Sequence, residues 1–518
     1  MLIELEKQSG RWVFDFCGNG EVMNVQQFLS HHKLQRNPFA EEDAQTDAVF
    51  KNNCIVSTFH PAWDKVYGDP NDPATSLVFG QKGAGKTAMR LQLEKQLDHH
   101  NRTFPQKRVY IIPYIDFNTF LGQFEQKVGW WYRGKPERML QAWHLWDHID
   151  GILSAGITKF CQRVEQNEVA DGSDAGLADQ LNRLDRGQAR DLLLLSLIYD
   201  QSTATAFDTR FDFMRKKLGY RPWRVWLDFM GGIAWSSCMI ILMIWLLSQN
   251  HVSFKTSLLS FPWIILLGWA PYLYRLFRNL WIASGIKKHV RVGRKSIGQL
   301  VYGLMRIPLS ELAGQPMPTA QRSDDRYNLL EKFQGVLKVL NYRGLIVLMD
   351  RVDEPNLING SPERMRLFVW PILDNKLLKH PGLGIKMMLP QELYRFVEKE
   401  DRDFHERARL DKQNVIAHFG WTGQALYDLV ADRMKACAEP NAVVCPEDWF
   451  DARIHRERLV QAMQSLGVPR HLFRFLYRLV TEHCKRSTSS QPDFKIQPET
   501  FESVLAVYQR DQLSLESP

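Results

Sequence analysis

Residues 74–90 read ATSLVFGQKGAGKTAMR, and within them Gly80, Gly85, Lys86 and Thr87 stand at the spacing GxxxxGK[ST]. An apolar run, Leu77 to Phe79, precedes the glycines, and a helix-like run, Ala88 to Leu97, follows them. Strand, glycine-rich loop and helix in that order make a phosphate cradle. The backbone N–H groups of Gly80, Gln81, Lys82, Gly83, Ala84 and Gly85 are expected to turn toward phosphate oxygens, in conformations that a Cβ obstructs. Lys86 adds a mobile point charge for the outer phosphates and Thr87 a hydroxyl ligand for Mg²⁺. The helix N-terminus, with Ala88 in its first turn, adds its partial positive charge. The fold class that carries such a loop is α/β, built on a parallel sheet.

A bound metal also needs an acid at the end of a neighbouring buried strand, and residues 344–355, GLIVLMDRVDEP, supply one. Leu345 to Met349 read as a strand of the parallel-sheet type. Asp350 stands where the chain leaves the sheet, the edge at which such folds bind ligands. Asp350 is thus the expected metal-linked carboxylate; alone it would read as a strand-ending turn residue. Asp353 or Glu354, within the following turn, is expected to orient or deprotonate an attacking water. Further strands are expected at Arg108–Asp116 (RVYIIPYID) and Leu383–Pro390 (LGIKMMLP).

The remaining composition is globular: 518 residues, 45% hydrophobic and 24% charged, with 32 Gly and 24 Pro, which excludes collagen-like, low-complexity and wholly disordered classes. Seven Cys with no CxxC spacing point to a reducing compartment and no structural zinc. The start, MLIELEKQSGRWVFDF, has no long apolar run, so no cleavable signal peptide is expected and the mature chain is read as starting at Met1. The total charge of +8 is concentrated. From Arg210 to Lys295 fourteen Lys and Arg face two acids, a net of +12, which leaves −4 for the rest.

That cationic segment holds the two most apolar stretches, Val225–Leu247 and Thr256–Tyr274. At about 1.5 Å per residue the first is roughly 34 Å long, enough for a hydrocarbon core of about 30 Å. Trp223, Trp226, Trp245, Tyr272 and Tyr274 suit an interfacial aromatic belt, and the cations lie on both outer flanks and hardly in the connecting loop. A transmembrane hairpin with both termini cytoplasmic is therefore expected, the alternative being a helical hairpin buried in a large core.

The strand running into Asp350-Arg351-Val352-Asp353-Glu354 resembles the acid motif of the STAND class of P-loop NTPases, relatives of the AAA+ group. An apolar hairpin inserted between phosphate loop and acid strand resembles the KAP family of that class, the likeness covering residues 70 to 420. Arg351 departs from it, standing where KAP proteins usually carry a second acid and NACHT proteins a small residue. The resemblance implies ATP and Mg²⁺ as ligands, nucleotide-driven switching, self-assembly into a homo-oligomer, and a signalling or phage-defence role at a bacterial inner membrane. By the same likeness Gln391, just past the strand Leu383–Pro390, would sense the γ-phosphate or else be a solvated amide. Arg407 and Arg409, in HERARLDKQN, would be arginine fingers reaching a neighbouring subunit or else part of a solvated loop. Arg470, in Gly467-Val468-Pro469-Arg470, resembles the lid-helix arginine that contacts nucleotide.

The expected organisation is an NTPase core split by an insertion. It comprises an N-terminal lead-in (1–50), the first part of the core (51–135), a helical insertion (136–224), the hairpin (225–280), a basic helical return (281–330), the second part of the core (331–420), and a helical lid and tail (421–518). The expected function is a membrane-anchored ATPase that switches conformation with its nucleotide and answers to a protein partner or trigger. Alternatives are a nucleotide-gated membrane-perturbing effector and a tethered nucleic-acid ATPase. The −4 remainder argues against the large basic groove that the last would need. The absence of an NKxD string favours adenine over guanine, and the absence of LSGGQ disfavours an ABC transporter.

Overall fold

Strands that are apolar on both faces need cover on both faces, and this chain supplies it with helices. The computed structural model describes residues 22–56, 58–132, 134–169, 180–221, 223–248, 263, 265–373, 376–408, 410, 414–488 and 492–516. They divide into two units. One comprises the described residues of Met1–Pro61 and Gly420–Pro518 together with Gly83–Met89, the other those of Ala62–Lys82 and Arg90–Phe419.

The larger unit is built on a five-stranded parallel sheet, β1 (Ser76–Gly80), β2 (Arg108–Tyr114), β3 (Tyr342–Met349), β4 (Leu383–Pro390) and β5 (Val415–Ile416). Its order is β2-β3-β4-β1-β5. β1 and β4 are buried along their whole length. Pro113 is tolerated because β2 is an edge strand, which can spare one ladder donor. The helix Leu145–Val169 packs on β2 and the helix Asp324–Val339 on β3. The fold is thus α/β with a parallel sheet, as expected.

Where the helices of this unit meet, two acids are fully buried, and each faces an arginine. Asp150 accepts from the Tyr199 hydroxyl (2.7 Å) and pairs with Arg326 (3.3 Å), while Asp147 pairs with Arg291 through Nε (2.9 Å). Burial pushes the Asp150 carboxyl up to about 6, against the pull of Arg326.

The expected transmembrane hairpin is corrected by the structure: among the described residues no helix is long and apolar enough to cross a membrane. The first stretch lies in the helix Trp223–Ser248, but polar contacts cross its middle. The Ser236 hydroxyl donates to the Gly232 carbonyl (2.8 Å) and accepts from the Trp269 indole N–H (2.9 Å). Much of the second stretch, 256–262 and 264, lies outside the described residues. The helix that continues it, Ala270–His289, carries Arg275 in its second turn, buried against the carbonyls of Met305 (2.6 Å) and Ile307 (3.1 Å). A helix that buries a guanidinium on protein carbonyls is packing on a protein core. The two-pass inner-membrane location falls with the hairpin, on which the expectation of the lipid bilayer as partner had rested. The alternative of a hairpin buried on all sides does not hold either, since Trp226, Leu227, Met230, Ile241, Ile244 and Trp245 are exposed.

The smaller unit is helical, with Val25–His31, Gly423–Cys437, Arg456–Leu466, Pro469–Arg486 and Pro498–Glu516. The helix Pro469–Arg486 starts where rules of helix initiation place it, after Gly467 (φ +74°) and with Pro at its first position. It buries Leu472, Phe475, Leu476 and Leu479 on one face. Arg433 is among the residues that tie the lead-in segment to this unit. Its guanidinium pairs with Asp47 (2.7 Å) and donates to the Pro38 carbonyl (2.8 and 2.6 Å), all buried.

Candidate functional site

In the larger unit β3, β4 and β1 run parallel and side by side, with Gly80 paired to Pro390 and Met349 to Met387. Their carboxyl ends therefore share one edge of the sheet. Gly80, Gln81 and Lys82 leave that edge from β1, Gln391 from β4 and Asp350 from β3, so the acid strand stands one place removed from the loop strand, with β4 between. Gln391 opens the helix Gln391–Val397 and donates its Nε2–H to the Ala417 carbonyl (3.0 Å). Its buried Oε1 meets no donor among the described residues, so it is open to one more hydrogen bond.

Asp350 is 2% exposed and both its oxygens are engaged. Oδ2 faces Arg90 Nε at 3.2 Å, and Oδ1 accepts the Arg351 N–H at 2.9 Å. Arg90, itself buried, also bonds Glu94 (3.4 Å). Arg351 holds φ at +62°, an uncommon region for a long L-side chain. Of the two candidate water-orienting acids, Glu354 is the open one, 54% exposed, with Oε2 at 3.3 Å from Arg351 Nη1. Asp353 is half-buried, and its carbonyl accepts the Gly360 N–H (3.0 Å). Arg407 is the exposed last residue of the helix Arg402–Arg407. Arg409 lies outside the described residues.

In the smaller unit lies the remainder of the loop, Gly83 to Thr87, with Ala88 and Met89. Gly83 and Gly85 hold φ at +89° and +95°, which explains their glycine identity. Lys86 opens the helix Lys86–Thr103, with Thr87 and Ala88 in its first turn. Arg470 lies against this loop: its N–H donates to the Gly83 carbonyl (3.3 Å), and a Cβ added to Gly83 would stand 2.7 Å from Arg470 Cβ. Arg470 Nε is 4.0 Å from Glu42, an acid of the lead-in segment that also pairs with Arg474 (2.6 Å).

Three participants were not singled out in the sequence: Arg90, Trp421 and His60. The Trp421 indole N–H donates to the Ala84 carbonyl (2.8 Å), and its ring lies 3.8 Å from where a Cβ on Gly85 would be. His60 packs edge-on against Trp421 (4.9 Å between centroids), and its Nε2–H donates to the Gly420 carbonyl (2.9 Å). Only Arg90 left a trace in the sequence, an arginine one helical turn past Thr87 in an otherwise core-facing position. Trp421 and His60 are brought to the loop by contacts distant in sequence, which no local pattern announces.

Burial pushes His60 down to about 4, against its bond to the Gly420 carbonyl. With the folded value below the unfolded one, about 6.5, the unfolded chain takes up the proton first. The contribution of neutral His60 is then complete above about pH 6.5 and is lost as pH falls toward about 4. Thermal midpoints measured from pH 7.5 to 4 should fall more steeply in the wild type than in His60→Gln. Parallel curves would show that His60 does not titrate in this way.

No family model, curated protein or solved structure matches this chain.

Proposed function

We propose that the protein is a P-loop NTPase of STAND or KAP-like kind, which binds ATP with Mg²⁺ and hydrolyses it to switch conformation. The observation that carries the reading is the loop itself. A buried strand ends at Gly80, the chain passes through Gly83 and Gly85 at positive φ, and Lys86 and Thr87 open a helix of 18 residues. It is supported by the edge of the sheet, where an acid follows β3 and an under-bonded amide follows β4.

The residues divide the work by their chemistry. Loop N–H groups and the helix N-terminus bind phosphate, Lys86 neutralises its outer charge, and Gln391 would offer the γ-phosphate its second Nε2–H, its open Oε1 being fit only to accept from a water there. A hydroxyl and a carboxylate are hard oxygen donors that fit Mg²⁺, so Thr87 and Asp350 are each proposed, by their chemistry, as a ligand for it. Asp350 can act through metal-bound water, because each engaged oxygen keeps a lone pair. Bound there, the metal would supply charge stabilisation to the transferring phosphoryl group. Glu354, open to solvent, orients the attacking water, with Asp353 supporting the turn. Arg470 lays its side chain along Gly83 of the loop, and Arg407 and Arg409 are proposed, on the resemblance alone, to act on a neighbouring subunit if the chain assembles.

The test is to identify nucleotide released from purified protein on denaturation and to measure ATP turnover with Mg²⁺. Glu354→Gln is expected to retain nucleotide and lose turnover by about 10²–10⁴-fold, the range for loss of a general base. Full turnover in that variant would remove Glu354 from the mechanism, and a wild type that neither carries nor binds nucleotide would sink the reading.

A further inference from the structure

Five described residues other than glycine hold positive φ, and three of them are Asn, the side chain that tolerates this region best. Arg351 (φ +62°) is one of the two exceptions, and it follows directly on Asp350. Its conformation has a local consequence. The left-handed backbone turns the Arg351 N–H back onto Asp350 Oδ1 (2.9 Å), and the side chain runs over the turn to place Nη1 at 3.3 Å from Glu354 Oε2. The Glu354 N–H completes the turn on the Arg351 carbonyl (3.3 Å). One residue thus holds both acids, the first with its backbone and the second with its guanidinium.

We propose that Arg351 is a positioning residue of the acid pair, which keeps Asp350 oriented and restrains Glu354 from the attacking water in the resting chain. The proposal rests on the reading of Asp350 and Glu354 given above. An acid that is to activate water must present its oxygens to that water, and here a guanidinium occupies one of them. The restraint is soft. Glu354 is 54% and Arg351 25% exposed, and an exposed pair of this kind is worth up to about 1 kcal/mol, about fivefold in a rate. Asp350, by contrast, is held in a buried pair with Arg90 that solvent does not screen. The Arg351–Glu354 contact is therefore the one that nucleotide or a partner can release without disturbing the metal-linked acid.

Arg351→Gly separates the two functions of the residue. Glycine accepts φ of +62° and keeps the N–H on Asp350, while the guanidinium is lost. The expected result is a kcat for ATP three- to fivefold above wild type, KM within twofold, and an unchanged or higher Tm. Arg351→Lys, which restores a cation over the turn, is expected to bring kcat back toward the wild-type value. Arg351→Asn, which also tolerates the left-handed region, serves as a second variant should the glycine fail to fold. An Arg351→Gly kcat equal to or below wild type, beside a Glu354→Gln that is inactive, overturns the proposal and leaves the function reading intact. Turnover unaffected by Glu354→Gln overturns the proposal together with the role of Glu354. A silent wild type with an active Arg351→Gly supports the restraint, whereas silence in both, with nucleotide bound, overturns it along with the role of Glu354.

Discussion

Lys86→Ala is expected to abolish turnover and to strip the purified protein of bound nucleotide. Its ammonium is the one side-chain cation at a fixed position of the loop pattern, and it starts the helix that follows Gly85. A cation that stabilises charge on a transferring phosphoryl group is worth about 10²–10³ in rate, and ground-state affinity should fall at least tenfold (~1.4 kcal/mol). The left-handed turns of the loop backbone are set by Gly83 and Gly85, which the substitution leaves in place. Lys86→Ala should therefore keep its Tm while it loses nucleotide. Lys82→Ala is the comparison. Lys82 is an exposed residue at a variable position of the pattern, so its loss should change affinity by less than threefold, the scale of a solvent-screened charge. Isothermal titration with ATP and Mg²⁺ separates the cases; equal affinities for wild type and Lys86→Ala would mean that the loop does not hold phosphate.

The second large effect is on stability. Arg326→Ala should destabilise the larger unit by about 3–5 kcal/mol, the cost of leaving one partner of a buried pair behind. Arg326 and Asp150 are both fully buried, and the guanidinium also bonds the carbonyls of His289 (3.2 Å), Arg322 (3.0 Å) and Ala320. Truncation leaves Asp150 with the Tyr199 hydroxyl as its remaining side-chain donor among the described residues, and strands three carbonyls. A matched double variant, Asp150→Asn with Arg326→Met, removes the charge together with its partner and should recover part of the loss. Urea unfolding is the appropriate measurement. A loss below about 1 kcal/mol in Arg326→Ala would show that the pair is not sealed from solvent in the native protein.

How much was legible follows from the range of each interaction. The loop, the acid strand and the strand Leu383–Pro390 were readable because each is a local pattern: a spacing of glycines, an unbroken apolar run, an acid where the run ends. The hairpin expectation failed on a local pattern too. Apolar length and flanking charge do not reveal that Arg275 is buried on backbone carbonyls, or that Ser236 and Trp269 bond to each other. The lead-in segment gave no sign of its company, because the bonds that tie it to the C-terminal helices, those of Arg433 to Asp47 and Pro38 and of Arg474 to Glu42 among them, join residues nearly 400 or more positions apart.

By itself the sequence determined the α/β sheet, the placing of Gly80–Thr87 between a strand and a helix, and the identity of Asp350, Asp353 and Glu354 as the acids beyond β3. These depend on periodicity and on residue chemistry, which neighbours in the chain carry together. The tertiary structure alone decided that Arg90 meets Asp350, that Trp421 and Arg470 lie on the loop, and that Arg351 takes a left-handed turn to reach both acids. The physical reason is that an ion pair or an indole–carbonyl bond is chosen by proximity after packing. Arginines and tryptophans far apart in the chain look alike until the sheet and helices bring particular ones within hydrogen-bonding distance.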